Sequence, residues 1–138
     1  MIAEHAALYA ELVLSLGKGG ESIFWNHMPD TDSLIMCFYD CPTWEAAESS
    51  ALKVDQFGCE VYTRSKSVKE AKKAMWDFHK GIMGFGGTMA DSDGQEVQVT
   101  YVDVDKNPHS FGQDEKSRAV YSARYRFRVE SCGDLHRL

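Results

Sequence analysis

At 138 residues with 43% apolar side chains, the chain is long enough to bury one core and too apolar to be a disordered chain. Fifteen basic against 21 acidic residues leave a formal net charge of −6, which opposes nonspecific attraction to a nucleic-acid backbone. No apolar run approaches the ~20 residues that span a bilayer, and Glu4 and His5 replace the basic start of a signal peptide, so a soluble, membrane-free, cytoplasmic single domain over residues 1–138 is expected.

Ile2, Ala6, Tyr9, Val13 and Leu16, joined by His5 and Leu12, recur at helical spacing and stop at Gly17-Lys18-Gly19-Gly20, which predicts a first amphipathic helix. Glu21 to Trp25 is short and aromatic and suits an edge strand, and Asp30-Thr31-Asp32 reads as a turn. Ser33 to Tyr39 is apolar on both parities, the mark of a strand covered on both faces or of one that meets a neighbouring chain. The stretch from Asp40 to Lys53 loses periodicity and reads as a long loop with Trp44 as its only large residue, a candidate contact outside its own domain.

Asp55 to Arg64 follows as a strand, and Ser67-Val68-Lys69-Glu70 is a capping box that starts a helix at Val68. Val68, Ala71, Met75, Phe78 and Ile82 give that helix one packing face, with lysines mostly outside it. Trp76 falls one position off the stripe, and core packing is the expectation for it and for Trp25. Gly84 to Gly94 reads as a flexible projection, Glu96 to Val104 as a half-buried strand and Asp105 to Lys116 as a third long connection. Ser117 to Glu130 alternates strictly, with Ala119, Tyr121, Ala123, Tyr125, Phe127 and Val129 against Val120, Ser122, Arg124, Arg126 and Arg128. The tail after Ser131 has no periodicity and is expected to fray. The fold class is α+β, a mostly antiparallel β-sheet with two helices packed on it.

Catalytic, cofactor and metal sites are not expected. Cys37, Cys41, Cys59 and Cys132 read as reduced, partly buried thiols, because Cys37 and Cys41 have no second ligand pair and the histidines stand singly. Asp114-Glu115 is the best acid/base pair, but Lys116 and Arg118 beside it favour a solvated turn. Arg124, Arg126 and Arg128 lie about 7 Å apart along their strand and suit either cross-strand carboxylates or an acidic protein partner, rather than nucleic acid.

The run Pro108-His109-Ser110-Phe111-Gly112-Gln113-Asp114-Glu115-Lys116-Ser117-Arg118-Ala119-Val120-Tyr121 resembles the Pro-x-x-hydrophobic-Gly-x-Asp-Glu-x-x-Arg-x-x-Tyr signature of phage tail-terminator and minor capsid proteins. Gln56 and Arg64-Ser65 at the two ends of the central strand, and Met28-Pro29 followed by Asp32, are similar to the same family. The resemblance implies a structural virion protein of a long-tailed phage, assembled in the host cytoplasm as a homo-oligomeric ring, typically six subunits. The ring sits at the head-proximal end of the tail tube, ends tube growth and docks to the head connector, while DNA passes its lumen without specific binding. Neighbour and partner contacts are expected at Trp44, Pro108, Phe111, Gly112, Asp114, Glu115, Arg118, Arg124, Arg126 and Arg128. A neck or head-completion protein, a small-ligand-binding α+β domain and a hydrolase using Asp114 or Glu115 are the alternative readings.

Overall fold

The computed structural model describes residues 2–14, 23–41 and 54–130. Two helices, α1 (Ala3–Leu14) and α2 (Val68–Ile82), accompany six strands: β1 (Ile23–Trp25), β2 (Ile35–Cys41), β3 (Val54–Ser65), β4 (Gly87–Ala90), β5 (Glu96–Gln113) and β6 (Ala119–Glu130). The strands form one sheet in the order β1-β2-β3-β6-β5-β4. Every neighbouring pair is antiparallel except β1 with β2, so the sheet is mixed and the class is α+β.

The helix-facing side is built from one parity of each strand. Phe38 on β2, Val61 on β3 and Tyr125, Phe127 and Val129 on β6 are fully buried, and they meet Ala71, Ala74, Met75, Phe78 and Ile82 of α2. Phe78 sits edge-on to both Phe38 and Tyr125, at 5.2 and 5.6 Å between ring centroids. Val99 and Val102 of β5 carry the same core toward the opposite end of the sheet.

Helix α1 buries Ile2 and the small residues Ala3, Ala6, Ala7 and Ala10, which let its backbone lie close, whereas Leu12, expected to join the packing stripe, stands 84% exposed. It touches β1 and β2 at one end of the strand order and β4 at the other, so the sheet bends round the helices and α1 closes the opening. Three bonds pin its first turn: Ala3 N–H donates to Asp40 Oδ1 at 2.9 Å, Glu4 Oε2 accepts from Ser92 N–H at 2.6 Å, and His5 Nε2 lies 3.2 Å from the Gln95 carbonyl. The expected glycine stop at Gly17-Lys18-Gly19-Gly20 lies outside the described residues, as do the 42–53 loop and the tail from 131.

Helix α2 starts at Val68 as the capping box requires, with Ser67 accepting from Glu70 N–H at 3.3 Å. The return half of the box runs through Ser65. Ser67 N–H donates to the Ser65 hydroxyl, which donates to Glu70 Oε1, both at 3.0 Å. The helix ends at Ile82, two residues before Gly84 takes a φ of 73°.

Two expected loops are strands. Gly87–Ala90 of the Gly84-to-Gly94 segment pairs with β5 as β4, because Met89 is buried and Thr88 bonds Gln98 across the ladder at 2.9 Å. Asp91-Ser92-Asp93-Gly94 is its hairpin turn, closed by Asp91 Oδ1 accepting from Asp93 and Gln95 N–H. Asp105 to Gln113 is not a connection but the second half of β5, paired with β6 as far as Gln113 to Ala119. Pro108 is tolerated there because no described strand pairs β5 on its outer side beyond Val99, and register shifts flank it between Lys106 and His109. Trp76 is also corrected: it is 37% exposed, whereas Trp25 packs partly buried against the core.

Candidate functional site

At one end of the β5–β6 hairpin the chain reverses through Asp114-Glu115-Lys116-Ser117. Ser117 N–H closes the turn on the Asp114 carbonyl at 3.0 Å, and Ser117 takes a left-handed φ of 60°. Asp114 holds the turn from inside: Oδ1 accepts from Lys116 and Arg118 N–H at 3.0 Å each, and Oδ2 accepts from Arg118 Nε at 2.8 Å. Those amide donors, with the Arg118 guanidinium, keep the Asp114 carboxyl below the ordinary aspartate range. A carboxylate so occupied is a structural anion rather than a proton donor or acceptor at neutral pH.

Arg118, only 5% exposed, reaches across to the segment joining β1 and β2. Its NH1 donates to Asp30 Oδ1 at 2.9 Å and to the Thr31 carbonyl at 2.8 Å, and Asp32 lies 3.8 Å away. Lys116 pairs with the other Asp30 oxygen, and with Arg118 it holds the Asp30 carboxyl below its usual value. Arg64, buried near the end of β3, binds the same segment from beneath through the carbonyls of Pro29 and Thr31. Lys66 Nζ adds a bond to the Lys116 carbonyl at 3.0 Å. Residues 29–32, Arg64 with Lys66, and residues 114–118 therefore converge at one corner as a clasp.

This clasp explains the doubly apolar β2. Ile35 and Cys37 point away from the helices and are still buried, on the side where Arg64 secures the β1–β2 crossover. Burial pushes the Cys37 thiol up to about 12, with the Arg64 charge pulling the other way.

Beyond the clasp the helix-free face carries a row of rings. Tyr39 on β2 and Tyr62 on β3 meet edge-on at 5.9 Å, Tyr62 meets Phe111 of β5 at 5.9 Å, and Phe111 meets His109 at 5.2 Å. Phe111 reaches Tyr62 across β6, where Ser122, the ladder partner of both Tyr62 and His109, is small and buried. An open cleft of about 390 Å³ lies here, lined by Met28, Tyr39, Glu60 and Tyr62. The Tyr62 hydroxyl donates to Glu60 Oε1 at 2.9 Å, and burial followed by that carboxylate raises Tyr62 to about 12.

The arginine row continues this face and pairs within the chain. Arg124 meets Glu60 at 3.2 Å and Asp105 at 3.9 Å, and Arg126 meets Asp103 at 2.7 Å. Arg128 stands half-buried opposite Gln56 on β3 and Tyr101 on β5. Of the residues singled out from sequence, Asp114 and Arg118 join in the clasp, Glu115 and Gly112 are exposed beside it, and Phe111 stands 58% exposed on the ring row. Pro108 is buried within β5, and Trp44 lies outside the described residues. Sequence reasoning missed Asp30, Glu60, Tyr39 and Tyr62; the shared parity of the two tyrosines with Glu60 and Arg64 was the available signal.

Among the described residues no group of three or more His, Cys, Asp or Glu side chains could hold a metal ion, and no helix is long and apolar enough to cross a membrane. Cys37 and Cys59 are buried free thiols and Cys41 is half-buried.

No curated protein matches the chain. A solved structure is similar over 89% of this chain and 86% of its own at 10% identity, with a TM-score of 0.48. The family model described as bacteriophage tail terminator protein matches residues 13–131, nearly the whole chain. The chain belongs to the bacteriophage tail terminator protein family.

Proposed function

We propose that this protein is a single-domain, structural subunit of a ring, typically of six copies, at the head-proximal end of a phage tail tube, where it ends tube growth and docks to the head connector. The observation that carries the reading is the family match across residues 13–131. Membership implies a structural, generally non-enzymatic component of the virion tail. The clasp and the ring row support the finer reading: Phe111, Gly112 and Glu115 face outward on a hairpin whose shape Asp114 and Arg118 hold rigid. Pro108 stiffens the same strand, Arg124, Arg126 and Arg128 edge the face, and Trp44 is proposed as a further neighbour contact.

In this reading the tail tube protein and the connector meet opposite rims of the ring, and particles are assembled in the host cytoplasm. DNA passes the lumen without specific binding. The net charge of −6, and the cross-strand carboxylates that neutralise Arg124 and Arg126, suit a wall that does not grip phosphates.

Labelling purified tails with an antibody to this chain tests the assignment. Label at the head-proximal end of the tube, and overgrown tubes when the protein is withheld, are expected. Label on the head side of normally terminated tails would assign it to the neck instead.

A further inference from the structure

Two features on opposite layers of the fold complement each other in a way that no single copy can use. On α2, Lys69, Lys72, Lys73, Trp76 and Lys80 follow at helical spacing and all are exposed, opposite the buried Ala71, Met75, Phe78 and Ile82. A solvated lysine face has no need of an indole. Trp76 nevertheless stands at its centre, held only by an edge contact to His79 at 5.3 Å among the described ring pairs.

On the other layer, the cleft between Met28, Tyr39, Glu60 and Tyr62 offers two aromatic walls, a thioether and a carboxylate that already accepts from Tyr62 and pairs with Arg124 but keeps further lone pairs. Tyr39 follows Phe38 on β2, so strand alternation turns it away from the face that α2 covers. Asp30 and Asp32, each with a side chain 64% exposed, follow Met28 at the rim, where Lys116 and Arg118 already pair with Asp30 and Arg118 lies 3.8 Å from Asp32. Helix α2 carries four lysines against Glu70 and Asp77, a net of +2, which leaves −8 on the rest of the chain. A second copy is therefore the acidic partner that a lysine-flanked tryptophan fits.

We propose that Trp76 of one copy enters the Met28–Tyr39–Glu60–Tyr62 cleft of the next copy, with its indole N–H directed at the Glu60 carboxylate and the flanking lysines facing Asp30 and Asp32. Because donor and acceptor surfaces lie on opposite layers, the contact is heterologous, the kind that repeats head to tail and closes into a ring when the rotation allows. The inference rests on the ring reading above and names the contact that would build it.

The test places the photo-crosslinker p-benzoylphenylalanine at position 76, mixes isotopically light and heavy full-length chains, and irradiates tails assembled with them. Crosslinks from position 76 of one isotope to peptides containing Met28 or residues 57–64 of the other are expected. Trp76→Ala should stay folded, with a wild-type far-UV spectrum, and lose about tenfold in incorporation into tails, the scale of a central hot-spot residue. Crosslinks that stay within one chain or map to any other peptide, or a Trp76→Ala chain incorporated as well as wild type, would overturn the contact while leaving the tail assignment standing. Absence of the wild-type chain from tails would instead overturn that assignment, and this inference with it.

Discussion

Arg118 and Asp30 sit 88 positions apart in sequence and 2.9 Å apart in space, and their contact ties the β5–β6 turn to the β1–β2 crossover. Arg118→Ala removes the donor shared by Asp30, Thr31 and Asp114, which lie on two different segments. The expected result in thermal unfolding is a Tm lower by roughly 4–8 °C, with an intact far-UV spectrum. Arg118→Lys should recover little, because an ammonium cannot bridge three acceptors in a planar fork.

The same corner sets the acid limit of the fold. Asp114, through amide and Arg118 donors, and Asp30, through Lys116 and Arg118, both have folded carboxyls below their ordinary value of 3.8. A depressed folded pKa contributes stability that is complete above the unfolded value and is lost as pH falls through the folded one. Chemical denaturation between pH 5 and 2 should therefore show stability falling below about pH 4. Asp114→Asn should flatten that fall, since an amide does not titrate there.

His79 joins α2 to the core through a 2.8 Å contact between Nδ1 and the Tyr125 hydroxyl, and burial pulls its pKa below 6.5. A lowered histidine favours the fold while neutral, so stability should decline as pH falls from about 6.5 toward the folded value. His79→Ala removes that slope and strands the buried hydroxyl, at a cost on the order of 1–3 kcal/mol in urea titrations at pH 7.5.

Gly58 on β3 lies so close to β2 that a Cβ there would stand 2.4 Å from the Cys41 carbonyl oxygen. Gly58→Ala must push the two strands apart or break their ladder. Loss of slow amide exchange along Cys37 to Cys41 is the expected signature, and retention of it would show that the strands yield.

Much of the architecture was legible in the chain because periodicity reports burial. The β6 alternation, the α2 stripe and the Val68 start all follow from it. β4 and the second half of β5 were not legible, since Gly87, Pro108 and Gly112 are breakers by local rule, and Pro108 is acceptable because no described strand pairs that edge of β5 beyond Val99. The clasp was half legible: Asp114 and Arg118 lie in one motif, whereas their partners Asp30 and Thr31 belong to a segment whose own turn signals say nothing of who binds it. Trp76 was misread because proximity to an apolar stripe resembles membership of it.

The anchoring of α1 orders events during synthesis. Its first turn is secured by Asp40, Ser92 and Gln95, so α1 waits for the β4–β5 hairpin to leave the ribosome before it can be fully locked. Until then β1 and β2 can cover the helix, but its contact with β4 at the other margin of the sheet cannot form. Helix α1 is thus a late piece to be set in place, like the keystone of an arch.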